Sequence, residues 1–323
     1  MDVSFVIVSW NAKDYLRKCL RSLADACARL EHEVIVVDNG SSDGSPEMVE
    51  AEFPEVRLIR NAHNAGFAAA NNQGLAIARG RYLALVNSDV ELFPDTMERL
   101  IAFMEAHPDV GLLGPKVLNA DRTIQPSCRT FPSLRSWLFR TLALDTAFPR
   151  SRLFGEHFMT HWSRDEVRDV DVLSGCFWLI RRSAYEQVGG LDTRFFMYAE
   201  DMDLCRRYRQ AGWRTTFCPE GQIIHYGGAS SGNAPVRFWI EMQRANLQYW
   251  KKHHGTVSTI ALYLLLIAYH SLRVPAFAML RLLGRQAASP READKLRMNL
   301  RTLAWLLRPS TLQLLTAHEP RRS

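Results

Sequence analysis

No Cys-x-x-Cys spacing occurs in this chain. Its six cysteines (Cys19, Cys27, Cys128, Cys176, Cys205 and Cys218) stand well apart. They read as buried thiols in a reducing compartment, not as a disulfide framework or a zinc site. No glycine-rich loop follows the first apolar run, where Trp10-Asn-Ala-Lys13 stands instead. That removes the dinucleotide fingerprint of an oxidoreductase and the phosphate loop of a nucleotidyltransferase. Zinc-finger spacing, an RNP1-like motif and an interleaved aromatic and basic stripe are all missing, so nucleic acid is not an expected partner. No basic segment with a small-residue cleavage site precedes the strand-like run Val3–Val8. The body of the protein is therefore expected to be cytoplasmic.

Charge of either sign is scarce in one sense only. Residues 1–250 carry 28 Lys/Arg against 31 Asp/Glu, whereas residues 251–323 carry 12 against 3. The whole basic excess of +6 thus lies in the last quarter. Such a tail attracts anions such as phospholipid headgroups or lipid diphosphates. With 47% hydrophobic and 23% charged residues, the composition excludes disorder on a large scale. A chain of 323 residues accommodates one large α/β domain with an added tail.

Short β-branched runs alternate with helical spacing through the first 115 or so residues. Strands are expected at Val3–Ser9, Glu33–Asp38, Val56–Arg60, Tyr82–Asn87 and Val110–Val117. Helices are expected at Lys13–Arg29, Pro46–Glu52, Gly66–Ala78 and Asp95–His107. This order predicts a mostly parallel sheet with helices on both faces, in which ligands bind beyond the carboxyl ends of the strands. Residues 118–170 read as an irregular, mobile insertion. Strand character resumes at Val172–Ile180, with helices at Ser183–Val188 and Glu200–Ala211. Short strands follow at Arg214–Cys218 and Gln222–Tyr226, then an amphipathic helix at Arg237–His254.

Gly255–Leu272 contains no charged residue, but the run is shorter than the 20 or so apolar residues of a membrane span. Pro275 follows, and Arg273, Arg281 and Arg285 punctuate a second apolar stretch. A helix pair in the membrane interface fits best. A helical subdomain packed away from lipid and a true span remain open.

Four polar clusters sit at the ends of apolar runs. The first is Asp38-Asn-Gly-Ser-Ser-Asp-Gly44, where Gly40 and Gly44 permit tight turns and Asp38 can accept from a base N–H or a ribose hydroxyl. The second, Asn61 to Gly74, combines small residues with asparagines. Gly66 opens a helix whose N–H groups can face a diphosphate. The third, Asn87-Ser-Asp89, puts a carboxylate at a strand end, which suits a divalent cation on a diphosphate. The fourth is Glu200-Asp-Met-Asp203, followed by His225 in His-Tyr-Gly-Gly-Ala-Ser230. Three carboxylates crowded together are costly unless a helix N-terminus supports them, and one of them can serve as a general base. Each cluster taken alone is also compatible with an ordinary turn or cap.

Taken together, VIVSWN, VVDNGSSDGS, NAGFAAANNQG, NSD, SGCFWLIRR, GGLDTRFFMYAEDMDL and HYGGAS resemble family 2 glycosyltransferases of the GT-A fold. The likeness is strongest to rhamnosyltransferase-like members of bacterial surface polysaccharide synthesis, and covers about Val3 to Trp250. It implies a Rossmann-like, mostly parallel sheet flanked by helices (residues 1–250), with a donor half to about 117 and an acceptor half over about 170–250. A helical extension over 251–323 would lie on the inner face of the membrane. It assigns Asp201, with Glu200, to catalysis. Asp38, Asn39, Ser41, Asn64, Gly66, Asn71, Asn87 and Ser88 would hold the nucleotide-sugar, and Trp178, Phe196 and Tyr198 would line the acceptor side. Asp89 and His225 would hold Mg2+ or Mn2+. The family's D-x-D motif is incomplete here, since Asn87 stands where its first acid would be. The implied reaction is inverting transfer of a sugar, rhamnose from dTDP-rhamnose or another sugar from a UDP-sugar, to a polyprenyl-diphosphate-linked or other glycan. A non-catalytic nucleotide-sugar-binding or scaffold protein is the alternative outside enzymes.

Overall fold

The structure is a computed structural model that describes residues 1–228, 234–282 and 290–316. Ala229 and Ser230 of the His225 segment, and Arg285 of the tail, lie outside the described residues. The chain divides into two compact units, Met1–Phe131 with Phe158–Asn233, and Pro132–His157 with Ala234–Ser323.

The first unit is built on alternating strands and helices. β1 (Val3–Ser9), α1 (Lys13–Ala26), β2 (His32–Asp38), α2 (Ser45–Glu52), β3 (Arg57–Arg60), α3 (Phe67–Ile77) and β4 (Tyr82–Asn87) follow the expected order. β1 pairs in parallel with β2 and β4, and β2 with β3. The α1 sequence explains its place: Leu16, Cys19, Leu20, Leu23 and Ala26 recur at helical spacing and are all buried. Burying each such leucine stabilises the fold by about 2 kcal/mol. On α3, Gly74 lets the helix approach β1, because a Cβ there would lie 2.4 Å from Val6 Cγ1.

β5 (Val90–Leu92), α4 (Thr96–Ala106) and β6 (Val110–Leu118) come next, followed by β7 (Cys128–Arg129). In the second unit, α5 (Leu134–Thr141) and α6 (Leu144–Ala147) interrupt this path. The first unit resumes with β8 (Arg168–Asp169), β9 (Val172–Leu173), β10 (Phe177–Arg181), α7 (Arg182–Val188), α8 (Glu200–Gln210) and β11 (Arg214–His225). The main sheet runs β3-β2-β1-β4-β10-β6-β11-β5, with β8 beside β11, and β7 pairs β9 separately. β10 lies antiparallel between β4 and β6, which makes a mostly parallel sheet mixed.

Three expectations change. Residues 118–170 are not one irregular insertion: their first part returns to the first unit through β7, and their middle forms α5 and α6 of the helical unit. Val172–Ile180 is two strands, parted at Ser174–Cys176. The two short strands expected over Arg214–Cys218 and Gln222–Tyr226 are one long strand, Arg214–His225, with a register shift between Cys218 and Gln222.

The helical unit begins at Ala234, earlier than residue 251. Its α9 (Pro235–Leu282) turns at Gly255, which has φ 75°, a conformation natural to glycine. The helix runs on through Pro275, so no break separates the two apolar stretches there. α10 (Pro290–Leu306) and α11 (Pro309–Thr316) complete the unit. α10 is pinned to α9 by His270 Nδ1 with Asn299 Oδ1 at 2.8 Å, and by the Tyr263 hydroxyl donating to Leu306 O at 2.8 Å. Arg273 ties α9 to the end of α5 through the carbonyls of Arg140 and Thr141. By length and composition α9 contains a segment able to cross a membrane, but only 28% of its apolar window is buried. Val257, Ile260, Leu264, Leu272 and Met279 lie exposed along it.

Candidate active site

The parallel register aligns three strand ends: Ser9 pairs with Asp38, and Val8 with Asn87. Polar residues at these ends therefore share one edge of the sheet. Asp38 is 3% exposed. Its Oδ2 accepts from the backbone N–H of Gly40 (3.2 Å) and Ser41 (3.0 Å), which folds the turn over the carboxylate. Its Oδ1 is buried and has no hydrogen-bond partner among the described residues. A buried acceptor of this kind is costly unless a ligand donor reaches it.

Asn39 has a different role from that expected. Its amide donates to Asn64 Oδ1 (3.0 Å) and Gly66 O (3.3 Å), and its oxygen accepts from Ala65 N (2.9 Å) and Asn61 Nδ2 (3.1 Å). The side chain is 2% exposed and fully spent, so Asn39 clamps the first two clusters together. Asn64 Oδ1 also takes the Gly66 N–H at 2.9 Å. Ser41 Oγ accepts from Asn11 N, which locks the first turn to the end of β1. Asn71 is likewise internal: at 1% exposure it donates to Phe67 O, one turn back on α3.

Gly66 joins the second cluster to the fourth. It has φ +90°, and a Cβ there would lie 2.6 Å from Phe196 O and 2.8 Å from Phe196 Cδ2. Phe67 N donates to that same carbonyl at 2.7 Å. Asn72, one residue beyond Asn71, exchanges two hydrogen bonds with the Leu191 backbone (2.7 and 2.9 Å). The asparagine-rich helix thus docks the Gly189–Tyr198 loop that leads into α8.

That loop ends under backbone strain. Tyr198 and Ala199 both have positive φ, 71° and 62°, which is uncommon for residues other than glycine. They turn the chain so that Glu200, Asp201 and Asp203 fall in the first turn of α8. The three acids then part company. Asp203 is fully buried and ion-pairs Arg207 at 2.8 Å, and Arg207 also donates to Val188 O and Gly190 O. Asp201 accepts from Met202 N (2.8 Å) through Oδ1, and ion-pairs Arg129 through Oδ2. Glu200 is buried, and burial first, then the Asp201 charge, push its carboxyl up to about 8. Both causes favour the protonated acid over the carboxylate. Its Oε2 has no partner among the described residues.

Trp178 does not present a face to an acceptor. It is fully buried in β10, and its indole N–H donates to Leu173 O at 3.3 Å. Its ring underlies Gly175, beside Glu200 Oε1, so it supports the acid pair from the core. Phe196 and Tyr198 are half-buried in the loop above α8.

The third cluster meets His225 because β5 pairs antiparallel with the end of β11, with Val90 opposite His225. His225 Nε2 lies 3.3 Å from Asp89 Oδ1, and both side chains are mostly buried. Asn87 donates its N–H to Cys176 O, and Ser88 is 4% exposed. Two residues not anticipated from sequence complete the picture. Arg129, on β7, holds Asp201. Gln125 takes His225 Nδ1 at 2.6 Å, and donates to His225 O (3.1 Å) and Asn119 Oδ1 (2.8 Å). Its amide orientation, set by those two acceptors, puts the proton on Nδ1 and turns Nε2 toward Asp89. Among the described residues no group of three His, Cys, Asp or Glu is placed to hold a metal.

These features define an α/β enzyme with its acidic groups gathered at the carboxyl edge of a mostly parallel sheet. The chain belongs to glycosyl transferase family 2, whose family model matches residues 4–189, and it is a glycosyltransferase. It is 33% identical over 243 residues to N-acetylglucosaminyl-diphospho-decaprenol L-rhamnosyltransferase of Mycobacterium tuberculosis, covering 72% of this chain and 78% of that protein. It is 26% identical to the rhamnosyltransferase WbbL of Escherichia coli K12, over 69% of this chain and 83% of the relative. Among solved structures it resembles the mannosyltransferase PcManGT of Pyrobaculum calidifontis, determined with GDP-Man and Mn2+. The TM-score is 0.51 at 16% identity, covering 97% of this chain and 86% of the other. The expected GT-A fold is thereby met.

Proposed function

We propose that this enzyme transfers rhamnose from dTDP-rhamnose to a hydroxyl of a polyprenyl-diphosphate-linked glycan, with inversion, in the assembly of a cell-surface polysaccharide. The observation that carries the reading is the site at the start of α8. One carboxylate there, Asp201, is anchored by Arg129 and the Met202 N–H, beside a second, Glu200, whose carboxyl burial pushes up. The 33% identity to a decaprenyl-linked rhamnosyltransferase supports the sugar and the acceptor class.

In this reading the donor nucleotide lies along the strand ends, with its base or ribose donating to the buried Oδ1 of Asp38. The α3 N-terminus at Gly66 faces the diphosphate. Asp89 and His225 suit a divalent cation as two protein donors, because Mg2+ and Mn2+ commonly take one or two protein ligands plus substrate phosphates. When bound, the cation would offset the negative charge that develops on the departing diphosphate. Asp201 receives the proton of the acceptor hydroxyl. Each of its oxygens keeps a lone pair beyond the bonds to Met202 N and Arg129. Phe196 and Tyr198 flank the acceptor. The exposed aliphatic stripe on α9 and the basic tail rest on the cytoplasmic face of the membrane as a peripheral anchor.

The test is a panel of dTDP- and UDP-sugars followed by nucleoside diphosphate release, with Asp201→Asn as the decisive variant. Transfer is abolished while donor binding persists. Near-normal turnover in Asp201→Asn overturns the assignment of the base, and exclusive use of a UDP-sugar overturns the donor.

A further inference from the structure

Within the helical unit, the first half of α9 and the end of α10 enclose an open cavity of about 470 Å³. This volume lies within the range of small-ligand sites, about 300–1,000 Å³. Ile240 and Trp305 form its apolar wall, and Arg237, Arg297, Arg301 and Arg308 surround it. Arg297, Arg301 and Arg308 recur at intervals of four and seven residues, so they stack along one side of the helix and its end. These three have no carboxylate partner among the described residues. The nearby acid Glu241 lies 3.5 Å from Arg244 and also interacts with the Arg237 charge, and Arg244 itself lies over the Trp305 ring at 5.8 Å.

Three guanidinium groups with no ion pair among the described residues, Arg297, Arg301 and Arg308, around an apolar hollow are an unusual arrangement for a structural role. Like charges repel when gathered, and surface arginines gain nothing from sharing a cavity. The arrangement becomes favourable with a ligand that is polyanionic at one end and hydrocarbon at the other. A diphosphate offers several oxygens to guanidinium forks, while Trp305 and Ile240 suit the hydrocarbon that follows it. A free nucleotide would leave that wall without a partner, and a single phosphodiester headgroup would leave most of the arginines without one.

We propose that this groove binds the diphosphate and adjoining hydrocarbon of the polyprenyl-diphosphate acceptor. The inference rests on the acceptor class given above, and adds the site that holds its lipid end.

The experiment measures binding of the full chain to phosphatidylcholine vesicles carrying a small fraction of decaprenyl diphosphate. Vesicles brought to the same surface charge with phosphatidylglycerol serve as the comparison. Wild type prefers the diphosphate vesicles. The Arg297→Gln/Arg301→Gln variant loses that preference by about tenfold or more, and keeps its helix content and melting temperature. Arg150→Gln/Arg152→Gln removes the same charge from the same unit but outside the groove, and keeps the preference. Arg297→Lys/Arg301→Lys preserves charge without the fork and falls between the two. Equal losses in the groove and control variants overturn the proposal, as does equal wild-type binding to the two kinds of vesicle. If groove-dependent binding is found but no sugar is transferred to a decaprenyl-linked acceptor, the acceptor reading fails and the groove stands. If transfer to that acceptor is found with an unchanged KM in the groove variant, the groove fails and the acceptor reading stands.

Discussion

Glu200→Gln tests the protonation of the buried acid that opens α8. Burial and the neighbouring Asp201 raise the Glu200 carboxyl from an ordinary 4.5 to about 8 in the native protein. Below about pH 4.5 the group is protonated in native and unfolded chains alike, and costs nothing. As pH rises, the unfolded chain releases the proton while the native state retains it. Stability therefore declines by about 1.4 kcal/mol per pH unit until the native carboxyl also ionises near pH 8. The gap between 4.5 and about 8 amounts to a loss on the order of 5 kcal/mol at full ionisation. The amide of Gln is neutral throughout and nearly the same shape, so the variant lacks this decline. Urea midpoints of wild type and Glu200→Gln, measured from pH 5 to pH 9, give the difference directly and cancel the titrating groups that do not interact with Glu200. The difference in favour of the variant grows from pH 5 and levels off above pH 8. A difference that stays flat across the range refutes the argument, because it means that Glu200 is ionised in the native protein.

Two further outcomes follow from the same geometry. Gly66→Ala places a Cβ at φ +90° and 2.6 Å from Phe196 O; it lowers stability by about 1–3 kcal/mol and raises the donor KM, checked by thermal melting and initial rates. Gln125→Leu removes the acceptor for His225 Nδ1 and the donor to His225 O and Asn119 Oδ1; Mn2+ affinity in the presence of nucleoside diphosphate falls about 10- to 100-fold, and stability without metal falls by about 1–3 kcal/mol, read by titration and thermal melting.

The strand ends were legible in the sequence because burial and parallel pairing leave a strong pattern. Val3–Ser9 and Tyr82–Asn87 begin and end where expected. Their uninterrupted apolar runs signal strands covered on both faces. The same rule, applied to Phe177-Trp-Leu-Ile180, marks Trp178 as core; an aromatic beside a motif is a weaker signal than its place in such a run. What the sequence could not reveal is which polar side chains are spent inside the protein. Asn39 and Asn71 look like ligand-binding amides, yet Asn39 joins two segments and Asn71 is spent on its own helix, while the neighbouring Asn72 holds the Leu191 loop. Gln125 and Arg129 escaped notice for the opposite reason. They lie in a stretch without periodicity, and only the return of β7 beside β9 brings Arg129 to Asp201. Arg129-Thr-Phe-Pro, a lone cation just before an extended Pro-containing turn, was the faint available signal.

The placement of the acid pair also accounts for the strained backbone before it. Two consecutive non-glycine residues at positive φ cost about 1–3 kcal/mol each, and a relaxed turn would start α8 without them. Strain of this size persists only where neighbours over-determine the segment. Here they do so from three directions: Phe67 N on Phe196 O, Asn72 on Leu191, and the Asp203–Arg207 pair on the carbonyls of Val188 and Gly190. The result sets two adjacent carboxyls in different surroundings on one helical turn. The Met202 N–H and Arg129 hold Asp201 in place, while burial, beside Trp178 and Gly175, raises the Glu200 carboxyl. The strain thus fixes an ion-paired Asp201 beside a buried Glu200, and the asparagine-rich segment of α3 holds that arrangement in place.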